Sequence, residues 1–278
     1  MSILATIFGV YLLLLGFMYF FQDSLLFMPS SGMVQTPESV GVEAEDFWAE
    51  TEDGIRVHGW YFPHEESDYV IVLSHGNAGN ISYRIDIART LLETGAAVLM
   101  YDYRGYGQSE GKPSEKGLYK DIEAVVEVLK SGKGYGEHQI IMYGRSLGGA
   151  VAAYAANKYN LGGLVLDSAF KNLRAMVSDV YPFVPSRLAK YTFPTEQYIQ
   201  HDRDYPIMIM HSPNDQIVGF HHGEYLYNEL DEPKRFVELM GGHNNNFFVS
   251  SDLITENWKW YLSEISGKID DSSQNEDS

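Results

Sequence analysis

The chain contains no cysteine among its 278 residues. That excludes disulfide bonds, a thiolate nucleophile and thiolate metal sites, and it fits either redox compartment. Positive charge is the second scarcity: 20 Lys and Arg stand against 38 Asp and Glu, a formal net charge of -18. No basic stripe exists to displace counterions from phosphates, so nucleic acid is excluded as a partner. No Lys or Arg precedes Arg56, and no charged side chain of either sign precedes Asp23. What fills that gap is apolar. The 19 residues 3–21 carry Leu12 to Leu15 and close on Tyr19-Phe20-Phe21. A helix of this length crosses a hydrocarbon core of ~30 Å, and the closing aromatics suit the membrane interface. A cleaved signal peptide is the rival, but no basic segment precedes the run and no small-x-small site follows it.

Residues 1–24 are therefore read as an uncleaved, single-pass membrane anchor. The flank beyond it holds Asp23, Glu38, Glu43, Glu45 and Asp46 without a Lys or Arg. Cytoplasmic flanks carry the positive excess, so the body is expected outside the cytoplasm. Residues 25–45, with Pro29, Pro37 and several Ser and Gly, read as a connector. A chain beginning near Ser30 is accordingly expected to be soluble and active.

The body, 46–267, changes rhythm. An antiparallel hairpin is expected over 47–51 and 55–62, turning at Glu52-Asp53-Gly54. A continuous apolar strand follows at 69–73 and a second buried one at 96–100, with further strands at 139–143, 163–166, 207–210 and 235–239. Helical patterns lie between them, at 80–94, 114–130, 146–159, 223–230 and 246–263. Continuous apolar strands separated by helices imply a parallel sheet covered on both faces. One segment is longer than a connection needs. Residues 171–205, carrying Tyr181-Pro182-Phe183 and Tyr191-Thr192-Phe193-Pro194, read as a small cap with aromatics toward an apolar substrate. The polar, acidic end, 268–278, is expected as a disordered tail.

The chemistry gathers at Gly144-Arg145-Ser146-Leu147-Gly148. An apolar strand runs into this sequence and an Ala-rich helix leaves it, the context that a nucleophile elbow needs. A Ser at such a turn is strained, so the residues two before and two after must lack clashing side chains. A serine nucleophile needs a base, an orienting acid and an oxyanion hole. Asp215 follows the strand over 207–210, and His243 follows the strand over 235–239. Functional groups of open parallel sheets collect at that carboxyl edge. Asp167, after the strand over 163–166, competes with Asp215 as the acid. Leu147, opening the helix, supplies one oxyanion amide, and Asn77, in the loop after the strand over 69–73, is the candidate for the second. His75, Asp102 and Arg104 are expected to order loops. His221-His222 has no third ligand at metal spacing, so no metal site is expected.

Taken together, His75-Gly76-Asn77-Ala78-Gly79-Asn80, Asp102-Tyr103-Arg104-Gly105-Tyr106-Gly107, Gly144-Arg145-Ser146-Leu147-Gly148-Gly149, Asp215 and Gly242-His243-Asn244 resemble the α/β-hydrolase superfamily. More narrowly, with Phe21-Gln22-Asp23-Ser24-Leu25-Leu26-Phe27-Met28-Pro29 and Gly111-Lys112-Pro113-Ser114-Glu115-Lys116, the chain is similar to small-cap, membrane-associated serine hydrolases that include depalmitoylating enzymes. The resemblance implies an α/β-hydrolase fold, a mostly parallel twisted sheet of about eight strands with helices on both faces. It also implies ester or thioester cleavage by a Ser146-Asp215-His243 triad, with no cofactor and a small-molecule or lipid-like acyl substrate. The depalmitoylating members carry an N-terminal Cys cluster, which this chain lacks. Two other readings stay open: a serine peptidase, and a membrane-anchored binding or scaffold protein on a hydrolase fold.

Overall fold

The computed structural model describes residues 2–65, 67–200 and 203–276, with side chains as far as 266. The chain opens with helices α1 (Ile3–Phe20) and α2 (Gln22–Leu26) and the short strand β1 (Met28–Pro29). The hairpin strands β2 (Glu45–Glu50) and β3 (Arg56–Phe62) follow. Next come β4 (Val70–Ser74), β5 (Ala78–Gly79), α3 (Ile85–Leu92), β6 (Ala97–Tyr101) and α4 (Glu115–Gly132). The central unit is β7 (Ile140–Arg145), α5 (Leu147–Lys158) and β8 (Gly163–Asp167). Helices α6 (Leu173–Val180) and α7 (Thr195–Tyr198) precede β9 (Ile207–His211) and α8 (Phe220–Asn228). Strand β10 (Lys234–Glu238) and helices α9 (Asn246–Val249) and α10 (Ser251–Glu276) close the chain.

Eight strands form one sheet in the order β10-β9-β8-β7-β4-β6-β3-β2. Only the β2–β3 and β3–β6 pairings are antiparallel; the rest are parallel. Side chains of a strand alternate between faces, and here both faces are apolar. Val70 and Val72 of β4 join the core beneath α4, α5 and α8, while Ile71 and Leu73 join the core beneath α3 and α10. That is why these strands read as unbroken apolar runs in the sequence.

Boundaries differ where side chains compete with the helix. The helix expected over 80–94 starts as a tighter turn at Ile81–Tyr83, because Asn80 Oδ1 accepts from the Ser82 amide at 2.9 Å. The helix expected over 246–263 is interrupted at Ser250, whose hydroxyl accepts from the Met240 amide at 2.9 Å. The last helix, α10, enters the segment expected to be a disordered tail and continues to Glu276. No Pro or Gly lies in 268–276 to stop a helix already nucleated.

The stretch after α2 is stitched into the body. β1 pairs in parallel with β5, Phe27 is buried, and the Asn80 side chain donates to Ser30 O and Gly32 O at 2.9 Å each. The segment expected to be a cap carries α6, a turn at Ser186–Leu188 and α7; His201 and Asp202 lie outside the described residues. Glu115, opening α4, staples it down by accepting from the Thr192 and Phe193 amides at 2.7 Å. Phe193 is buried, whereas Tyr181 and Phe183 are exposed.

Candidate active site

Strand β7 delivers Ser146 to the carboxyl edge of the sheet, and α5 begins one residue later. Ser146 has φ 53° and ψ -119°, left-handed backbone that L-residues avoid. Close approach explains the flanking glycines. A Cβ on Gly144 would meet Gly148 O at 2.5 Å, and one on Gly148 would overlap the Ser74 carbonyl. The turn is held by its neighbours, with Ser146 N donating to Asp167 O at 2.9 Å. Leu147 is the first residue of α5, so its N–H has no carbonyl one turn earlier to bind.

The loops after β9 and β10 bring Asp215 and His243 together. His243 Nδ1 lies 2.7 Å from Asp215 Oδ2, with the Asp215 carboxylate fully buried. The other Asp215 oxygen accepts from the Ile217 and Val218 amides at 2.9 and 2.8 Å. Burial pushes the Asp215 carboxyl up, but the His243 bond, its charge and the two amides outweigh it, so the pKa falls below the ordinary carboxylate value. An ionised Asp215 makes Nδ1 of His243 the donor and leaves Nε2 with a free lone pair. The loops also lock to each other: Ser212 Oγ donates to Gly241 O, and the His243 amide donates to Gln216 Oε1 at 3.2 Å.

Among the described residues no hydrogen bond joins Ser146 Oγ to His243 Nε2; such bonds commonly tighten only when substrate is bound. The link between the two halves is instead Arg145, one residue before the serine. Its guanidinium, 11% exposed, pairs with Asp167 at 2.6 Å and donates to His243 O and, at 2.8 Å, to Asn246 Oδ1. Asp167 is thereby spoken for: Oδ2 also accepts from Tyr143 OH at 2.7 Å, and Oδ1 from Ser168 Oγ at 2.9 Å. Among the described residues no hydrogen bond or ion pair joins it to the His243 ring. The charged x of Gly-x-Ser-x-Gly is the residue that sequence reasoning passed over, and its only signal was a full charge inside an apolar context.

The loop after β4 stands beside the serine, since a Cβ on Gly76 would lie 3.6 Å from Ser146 Cβ. Asn77 is anchored on three sides. Its side chain donates to Leu26 O at 2.9 Å, and its carbonyl accepts from Met28 N at 3.0 Å and Tyr106 OH at 2.8 Å. His75 is fully buried, with Nδ1 2.7 Å from Gly76 O and Nε2 3.3 Å from Asp102 Oδ1; burial holds its pKa down. Asp102 Oδ1 accepts the Ile81 amide at 2.9 Å, and Arg104 clasps Asp121 at 2.8 Å and Asp53 at 3.0 Å. These groups tie loops together.

His221 and His222 do gain a third neighbour that spacing could not reveal. Asp179 Oδ2, on α6, lies 3.0 Å from His221 Nε2 and 2.9 Å from His222 Nε2. The Lys171 amide points at His222 Nδ1 from 3.4 Å, so the ring proton sits on Nε2, facing Asp179. A cation there would need a lone pair where the ring carries hydrogen. The trio is a polar latch between the cap and α8.

The chain is similar to known proteins. The family described as serine aminopeptidase, S33, matches residues 65–197. An uncharacterised protein of Mycobacterium tuberculosis is 35% identical over 247 residues, covering 87% of this chain and 88% of its own. An uncharacterised membrane protein of Saccharomyces cerevisiae is 30% identical over 244 residues, covering 82% and 84%. Among solved structures, an esterase of Pyrococcus furiosus superposes with a TM-score of 0.71 at 21% identity, covering 85% of this chain and 98% of that one, a likeness of fold.

Proposed function

The chain has the α/β-hydrolase fold, and from that premise we propose that it is a serine hydrolase opening carboxylic ester or thioester bonds through an acyl-enzyme on Ser146. The observation that carries the reading is the buried Asp215–His243 pair, 2.7 Å apart, in the loops next to a serine at φ 53°. His243 Nε2 takes the Ser146 proton as Oγ attacks the acyl carbonyl. The developing oxyanion is held by the Leu147 and Asn77 amides, each donor worth about 3–4 kcal/mol in such sites. The alcohol or thiol leaves with the proton from His243. Water, deprotonated by the same nitrogen, then releases the acid and restores the serine.

The family name raises aminopeptidase activity as a second reading. That chemistry needs a carboxylate for the substrate's ammonium, and Asp167 and Asp215 are already engaged by internal donors, Arg145 and His243. An ester or thioester is therefore favoured. The helix α1 is apolar and none of its residues is fully buried, and we take it as a single-pass anchor with the acidic body on the extracytoplasmic side.

The test is a panel of p-nitrophenyl esters of graded chain length beside aminoacyl p-nitroanilides, with wild type and Ser146→Ala. Ester turnover is expected, reduced by a factor on the order of 10³ or more in Ser146→Ala at unchanged circular dichroism. Full turnover in Ser146→Ala would end the reading. Turnover of the anilides alone would move it to a peptidase.

A further inference from the structure

We propose that the groove between α1, α2 and the cap seats the acyl chain of a bilayer lipid, which reaches the site from within the membrane plane. The inference rests on the hydrolase reading and on α1 crossing the membrane.

The groove holds about 130 Å³ of space and is partly open to solvent. Its walls are almost wholly apolar: Leu15 and Met18 of α1, Leu25 of α2, and Leu173, Val177 and Val184 of the cap. A soluble substrate has no need of a wall made by a membrane helix, whereas an acyl chain already in the bilayer meets that wall first.

The cap travels with the anchor into the apolar layer. Tyr11 OH, midway along α1, donates to Phe183 O at 2.7 Å. Gln22 donates to Leu188 O at 2.9 Å and accepts from the Lys190 amide at 2.7 Å. Tyr11 and Gln22 are separated by roughly 16 Å of helix at 1.5 Å per residue, about half of the ~30 Å hydrocarbon core. Irregular backbone at that depth must have its polar groups satisfied by protein, and two cap carbonyls and one amide are met by side chains of the anchor itself. Around them Val180, Tyr181 and Phe183 stand exposed, continuing the exposed apolar surface of α1. Such a patch is costly in water and at home in lipid. The polar end is marked by Asp23, which accepts from Tyr191 OH at 2.8 Å and lies 3.7 Å from Lys190 Nζ.

The groove also points at the chemistry. Its floor residue Leu26 is the one whose carbonyl accepts from the Asn77 side chain, so the lipid-facing wall and the proposed oxyanion loop are one bonded unit. A chain lying in the groove would bring its carbonyl end toward that loop.

The experiment uses full-length protein in phosphatidylcholine vesicles containing a phosphatidylcholine whose C16 chain bears a diazirine. After irradiation, label is expected in the cap peptide over 173–191 as well as in α1. Val177→Trp, which fills the groove, should lower the cap label at least fivefold, about 1 kcal/mol of lost affinity. Label confined to α1, or a cap label indifferent to Val177→Trp, overturns the proposal. Mapping in wild type stands even if that variant does not fold. Fluorophosphonate labelling of Ser146 in the same vesicles reports on the hydrolase reading separately, because it needs no lipid in the groove.

Discussion

Two acids sit within reach of the candidate site, and the structure assigns them opposite consequences when each is changed to its amide. Asp167 is fully buried against the Arg145 guanidinium at 2.6 Å, and Arg145 is itself only 11% exposed. Asp167→Asn leaves that buried cation without its counter-charge, a loss that costs about 3–5 kcal/mol in comparable pairs. For a domain of this size each kcal/mol moves Tm by about 2–4 °C, so the melting point should fall by roughly 6–20 °C. Asp215→Asn acts differently. The amide oxygen can still accept the Ile217 and Val218 amides, so the fold keeps most of its support. The NH₂ group then faces His243 Nδ1, turns that nitrogen into an acceptor and moves the ring proton to Nε2. In that tautomer the ring cannot receive the serine proton, and kcat should fall by a factor on the order of 10⁴. The assay is thermal unfolding by circular dichroism beside turnover of p-nitrophenyl acetate, at a temperature where both variants are folded. The reasoning is refuted if Asp167→Asn is folded, unshifted in Tm and inactive while Asp215→Asn turns over nearly normally; the orienting acid would then be Asp167.

Other outcomes follow from the same contacts. Gly148→Ala drives a methyl group into the Ser74 carbonyl, so we expect destabilisation of about 1–3 kcal/mol and lost turnover; a variant with wild-type Tm and rate would show that the elbow is not held as described. Against the expectation from the sequence, a chain beginning at Ser30 should lose short-ester turnover that one beginning at Gln22 retains, because it discards buried Phe27, β1 and the Leu26 carbonyl that anchors Asn77; equal activity of the two would make the segment a mere tether. His75, His211 and His222 are buried with pKa values lowered first by desolvation, His222 to about 4. The unfolded chain binds those protons below about pH 6.5 and the folded one does not, so stability falls with falling pH, by at most about 4 kcal/mol per unit if all three take part. A Tm that stays flat between about pH 6.5 and 5 would contradict this, given those unfolded-state values.

Much of this was legible because the relevant signals are local. The inner parallel strands are buried on both faces, so β4, β6, β7, β8 and β9 announce themselves as apolar runs. Ser146 is framed by glycines that contact explains, and Asp215 and His243 follow strand ends. Long-range contacts were not legible. Tyr11 bonds a carbonyl 172 positions away and Asn77 one 51 positions away, and nothing in the local pattern of either residue marks its partner. Asp179 gives no spacing signal toward His221 and His222, since it comes from the cap and they come from the start of α8. Arg145 was hidden for another reason: at the x of an elbow any residue fits the motif, and only the buried acid and carbonyls around it give the charge a purpose.

The central claim is that Ser146 is the nucleophile activated by His243. Its most direct test is a fluorophosphonate probe reacted with purified full-length protein, followed by intact mass and peptide mapping. The account predicts one adduct per chain on Ser146, absent in Ser146→Ala and strongly slowed in His243→Gln while both variants remain folded. An adduct of undiminished yield in Ser146→Ala, or folded wild-type protein that never reacts, would contradict it.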